Sequence, residues 1–144
     1  MSSELSGEQR GLRLAAGVTM AAGLGLALAA IPALNLPVRL LGDVLIWPLD
    51  GGETLAAPET RLGFAISGGL MLGWGLMIWQ LAGEPLARAP EAIRGSIRAS
   101  VLAWFMLDSA GSVAAEAALN VVGNLVFLAL FLWPMRGAGR TAAA

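Results

Sequence analysis

The sequence has no cysteine and no histidine among its 144 residues. Without thiols the chain holds no disulfide, no thiolate metal site and no iron–sulfur cluster. Without imidazole it offers neither a histidine haem ligand nor a histidine general base. Charge is scarce: Asp, Glu, Lys and Arg together make up 13%, against about 25% in ordinary soluble domains. Lysine is missing, so all nine basic residues are arginines, and the net charge is −1. That balance lacks the concentrated positive surface that phosphate backbones require, so nucleic acid is not an expected partner. No nucleophile–base pair and no metal-ligand motif is present, so nothing argues for an enzyme and no cofactor is expected. What chemistry remains rests on carboxylates.

Apolar residues, by contrast, make up 57%. A soluble domain of this size needs polar surface to cover itself, and too little is available here. Lipid as solvent removes that need. A helix rises 1.5 Å per residue, so about 20 apolar residues cross a hydrocarbon layer of about 30 Å. The hydropathy pattern places spans at about 14–36, 62–81, 99–115 and 117–133. The expected fold is therefore an all-α membrane protein. It is a single domain over residues 1–144, a four-transmembrane-helix bundle with a short interfacial helix in the first loop. Met1 to Arg13 reads as a polar tail. The first run is longer than the 7–15 residues of a signal-peptide core, so a retained helix is expected, ended or kinked at Pro32. In the first loop Leu40, Leu41, Val44 and Leu45 share a helical face, and Trp47 follows at headgroup depth. Asp50-Gly51-Gly52 reads as a turn.

Arginines near span ends set orientation. Arg10 and Arg13, then Arg88, Arg94 and Arg98, then Arg136 and Arg140 fall on one side. Arg39 and Arg61 fall on the other. Both termini are therefore expected in the cytoplasm. An even number of spans agrees with that bias.

Asp108 lies ten positions after Arg98, close to mid-membrane. An ionised carboxylate there costs at least about 2.5–3.5 kcal/mol on insertion scales, so it should face the bundle, be protonated or have a partner. Ser112 follows one turn on along the same face. Across a tight turn, Glu116, Asn120 and Asn124 line one face of the last span, and Arg61 opens the second span. These six residues form a candidate polar site. It reads either as glue between helices or as a place that binds a ligand or handles a proton. Gly69 and Gly73 form a GxxxG pair expected to permit close helix packing, with Gly63, Gly68 and Gly75 widening the smooth surface.

Three features carry a resemblance: four short spans, the charged Arg61 opening the second, and the run Gly68-Gly69-Leu70-Met71-Leu72-Gly73-Trp74-Gly75. The stretch Trp104-Phe105-Met106-Leu107-Asp108-Ser109 adds to it. The chain resembles small four-helix bacterial integral membrane proteins of the DoxX-like type over residues 14 to 133. The resemblance implies a bacterial inner (plasma) membrane protein, and some of that group are linked to quinol- or redox-associated complexes. Two functions are expected from different classes. One is a non-catalytic accessory or assembly subunit of a larger membrane complex, or a homo-oligomer in the lipid bilayer. The other is a lipid- or quinone-binding protein with an intrabundle site around Asp108; a transporter or enzyme is a third class, for which the sequence has neither the further spans or internal repeat usual in carriers nor a nucleophile–base pair.

Overall fold

The structure, a computed structural model, describes residues 5–47 and 49–136. The tail positions 1–4 and 137–144, including Arg140, and Pro48 of the first loop lie outside the described residues. Six α-helices follow one another: α1 (Gly7–Leu28), α2 (Leu36–Leu45), α3 (Pro58–Leu81), α4 (Glu84–Arg88), α5 (Pro90–Ala114) and α6 (Leu119–Leu132). Short 3-10 turns occupy Pro32–Leu34 and Pro134–Arg136. The chain is all-helical over the described residues.

Local chemistry sets the helix ends. The tail read as preceding α1 is partly helical, because Ser6 caps it. The Ser6 hydroxyl accepts from the Gln9 N–H, and the Gln9 side chain accepts in return from the Ser6 N–H, a reciprocal cap that satisfies two orphan donors. The helix stops at Leu28, short of the expected 36, because Pro32 disfavours helical geometry in the residue before it. Proline also opens α3 and α5 at their first helical positions, where its missing N–H costs nothing. The short helix expected in the first loop is present as α2, with one apolar and one polar face. Behind it Arg39 Nε donates to the Glu53 carbonyl and the Gly51 N–H donates to Asp43 Oδ1, folding the loop back on the helix.

By length and composition α1 and α3 are each apolar enough to cross a membrane, at 22 and 24 residues. They span about 33 and 36 Å at 1.5 Å per residue. The α5 helix has 25 residues but a charged first half, and α6 is apolar with only 14 residues.

Two antiparallel hairpins build the bundle. In the first, α1 lies against α3 with almost no side chain between them. A Cβ on Gly23 would come within 2.7 Å of the Gly68 carbonyl oxygen, and one on Gly75 within 2.9 Å of the Ala16 carbonyl oxygen. A Cβ on Gly68 would clash with the backbone of Gly23 and Ala27. The expected GxxxG contact is corrected here: at Gly69 and Gly73 an added Cβ meets nothing within 4 Å. Both are exposed, because they sit on the opposite flank of α3 from α1.

The second hairpin is α5 with α6. Trp74 on α3 joins the two pairs, its ring centroid 5.9 Å from Trp104 of α5 and 5.6 Å from Phe131 of α6. The core continues from there towards one end of the bundle through Ile78, Val101, Ala15, Leu12, Ile97 and Met135. At that end Glu8 of α1 accepts from Arg94 of α5 at 2.7 and 2.8 Å, and Arg94 also binds Glu91 at 2.7 Å. Gln9 Nε2 donates to the Gly83 carbonyl at 2.8 Å. The hydrogen bonds that Arg94 donates to Glu8 hold its proton more tightly than usual and outweigh the opposing effect of burial. A folded-state value raised above the unfolded one gives stability that is fully present below the ordinary arginine range. This clasp is therefore insensitive to pH through the physiological window. It gathers the start of α1, the end of α3 and the start of α5 at one end of the molecule, where Arg98 also donates to the Met135 carbonyl just beyond α6.

Candidate functional site

The polar cluster grows from two helix faces meeting across a four-residue turn. On α5 the inward face runs through Ile97, Val101 and Trp104 to Asp108 and Ser112, at helical spacing. On α6 it runs back from Phe131 and Phe127 to Asn124 and Asn120. Polar residues thus cap the aromatic cluster at the end of the bundle far from the Glu8–Arg94 clasp.

Two hydrogen bonds cross between the helices. Asn120 Nδ2 donates to Ser112 Oγ at 2.9 Å, and Asn124 Nδ2 donates to Ser109 Oγ at 3.2 Å. The Ser112 hydroxyl donates to the Asp108 carbonyl at 2.7 Å and lies 3.4 Å from Asp108 Oδ1. One hydroxyl has one proton, so the shorter backbone bond takes it. Asp108 thus borders the cluster and is joined to it through Ser112. Ser112 and Asn124 are buried, and Asp108 is half-buried.

Four of the six expected residues therefore come together: Asp108, Ser112, Asn120 and Asn124. Ser109 joins them, though spacing from Asp108 did not single it out. It lies one residue along, on the neighbouring flank of α5 that Asn124 faces.

Glu116 and Arg61 do not join. Glu116 is consumed by the turn. The Ala117 N–H donates to the Ser112 carbonyl and the Glu116 N–H to the Val113 carbonyl, the paired bonds of a Schellman helix end. That motif puts its corner residue in the left-handed region, and Glu116 has φ 60°. Glycine is the usual occupant because a Cβ costs about 1 kcal/mol or more there. The Glu116 side chain is carried outward and is exposed. Arg61, in the first turn of α3, donates through Nη1 to the Ala56 carbonyl at 2.9 Å and so serves the first loop.

Chemically, the cluster is two amide–hydroxyl pairs between α5 and α6, with the Asp108 carboxylate at its border. Each cross-helix donor has an acceptor, and among the described residues no group of three carboxylates converges to hold a metal ion. Such an arrangement fastens two helices and fixes their register. No protein-family model, curated protein or solved structure matches the chain.

Proposed function

We propose that the chain is a small multi-pass protein of the bacterial inner membrane that acts as a non-catalytic accessory or assembly subunit. In this reading α1, α3, α5 and α6 all span the bilayer and both termini are cytoplasmic. The bacterial setting rests on the span-level resemblance to DoxX-like proteins alone. The orientation draws support from the fold: Arg10, Arg13, Arg88, Arg94, Arg98 and Arg136 belong to one end of the bundle, and Arg39 and Arg61 to the other.

The observation that carries the reading is the outward face of α3. Only 17% of its apolar window is buried, and Leu62 and Leu70 are 60% and 70% exposed. A core helix of a soluble protein would be covered, and a contiguous apolar surface of this kind marks contact with lipid or with another protein. Gly69 and Gly73 lie within that face, one turn apart. An uncovered helical glycine costs about 1 kcal/mol relative to alanine. Small residues at this spacing on a membrane helix let a second helix approach closely. A neighbouring helix, from a larger complex or a second copy, gives those glycines a use that the chain's own packing does not.

The test is purification in mild detergent. The wild-type chain is expected to run as part of a particle larger than one copy. Gly73→Leu is expected to fold normally and run as the single chain. A wild-type monomer, or an unchanged particle for the variant, would overturn the reading.

The second reading is a lipid- or quinone-binding protein. It draws on Asp108, whose carboxylate has one long contact to Ser112 and spare acceptor capacity. A single chain that carries stoichiometric quinone after purification, and loses it in Asp108→Leu, would favour it.

A further inference from the structure

Along the outer side of α1, where it borders α3, runs a groove of about 510 Å³ whose lining includes Arg10, Arg13, Leu14, Val18 and Ala21 of α1 and Trp79 of α3. Arg10, Leu14, Val18 and Ala21 recur at helical spacing, so they form one continuous wall. From Arg10 to Ala21 the helix rises about 16 Å, close to half of a hydrocarbon core about 30 Å thick. The groove is thus about one leaflet deep, apolar along its length and cationic at its mouth.

Among the described residues no carboxylate neutralises the mouth. Arg88 and Arg94, at the same end of the bundle, both bind glutamates. Among the described residues neither Arg10 nor Arg13 forms an ion pair. The Arg13 guanidinium lies over the Trp79 ring at 5.4 Å, and its Nε is buried with no hydrogen-bond partner. An aromatic face thus holds one cation in place with a donor unused, and the second cation lies one turn earlier.

We propose that this groove binds an anionic phospholipid of the cytoplasmic leaflet, its phosphate between Arg10 and Arg13 and one acyl chain along Leu14, Val18 and Ala21 against Trp79. Charge complementarity selects the headgroup, and depth and apolarity select the chain. Free phosphate would use the mouth and leave the wall uncovered. The site rests on the membrane placement and orientation proposed above.

The chain would be reconstituted in nanodiscs of phosphatidylcholine with a minor share of phosphatidylglycerol, then released into neutral detergent. Retained lipid would be read by native mass spectrometry. Wild type is expected to retain phosphatidylglycerol well above its share. Each arginine near an anionic surface contributes roughly fivefold, so Arg10→Gln with Arg13→Gln should lower that enrichment about thirtyfold. Ala21→Trp fills the groove while leaving both arginines, and is expected to abolish retention. Arg136→Gln, at the same end but outside the groove, should leave it unchanged. Equal loss in Arg136→Gln, full retention in Ala21→Trp, or displacement of the lipid by inorganic phosphate would overturn the site. Failure of the membrane placement would show earlier, as a chain that does not enter nanodiscs at all.

Discussion

At the scale of single residues, Ser112 ties the hairpin together and Asp108 borders it. Ser112 accepts from Asn120 and donates to the Asp108 backbone, whereas the Asp108 side chain makes one contact of 3.4 Å. Ser112→Ala removes the acceptor and leaves the Asn120 amide unpaired. It is expected to lower stability by about 0.6–1.7 kcal/mol, the range for such bonds in membranes. Asp108→Asn keeps volume and an oxygen and removes the charge, so stability is expected to hold within about 0.5 kcal/mol. Equilibrium unfolding in detergent compares the two, and a larger loss for Asp108→Asn would reverse the assignment. Most of this cluster was legible in the sequence, because Asp108 and Ser112, and Asn120 and Asn124, each sit four apart beside a short turn. Glu116 shared that spacing, yet the turn geometry took it out. Spacing carries no information about which residue a Schellman corner will consume.

At the scale of helices, the close approach of α1 and α3 is decided by face. Gly69 and Gly73 match the four-residue motif, but Gly68 and Gly75, seven apart, are the ones that meet α1. A motif gives spacing along one helix. Which flank turns inward depends on the partner, here Gly23, Ala16 and Ala27. Helix starts were also extended beyond hydropathy, since the Ser6 cap and the prolines at 58 and 90 act on residues too polar to register as membrane spans. Gly68→Ala places a Cβ against the backbone of α1, with no flexible side chain to yield, and is expected to cost about 1–3 kcal/mol. Within the single chain Gly73→Ala meets open space, and in the dissociated chain it is expected to be neutral or to stabilise by up to about 1 kcal/mol through helix propensity. Thermal unfolding of the two variants side by side checks this. Equal effects at both positions would contradict the observed face.

At the scale of the whole molecule, the proposed function makes a single topological claim: four crossings with both termini inside. Hydropathy alone separates α1 and α3 from the rest, since α5 begins in a charged segment and α6 is 14 residues long. The proposal of four crossings therefore rests on the packing of α5 and α6 against α3, where Trp74 meets Trp104 and Phe131. The absence of cysteine means that the chain itself gives no background in the decisive measurement, labelling of single introduced cysteines in intact cells by a membrane-impermeant maleimide and reading the label on the purified chain. Gly52→Cys in the first loop and Ala115→Cys in the α5–α6 turn are expected to react from outside. Ser3→Cys and Ala142→Cys are expected to react only after permeabilisation. Protection of Ala115→Cys alongside labelling of Gly52→Cys would mean two crossings in place of four, and labelling of Ser3→Cys in intact cells would invert the orientation.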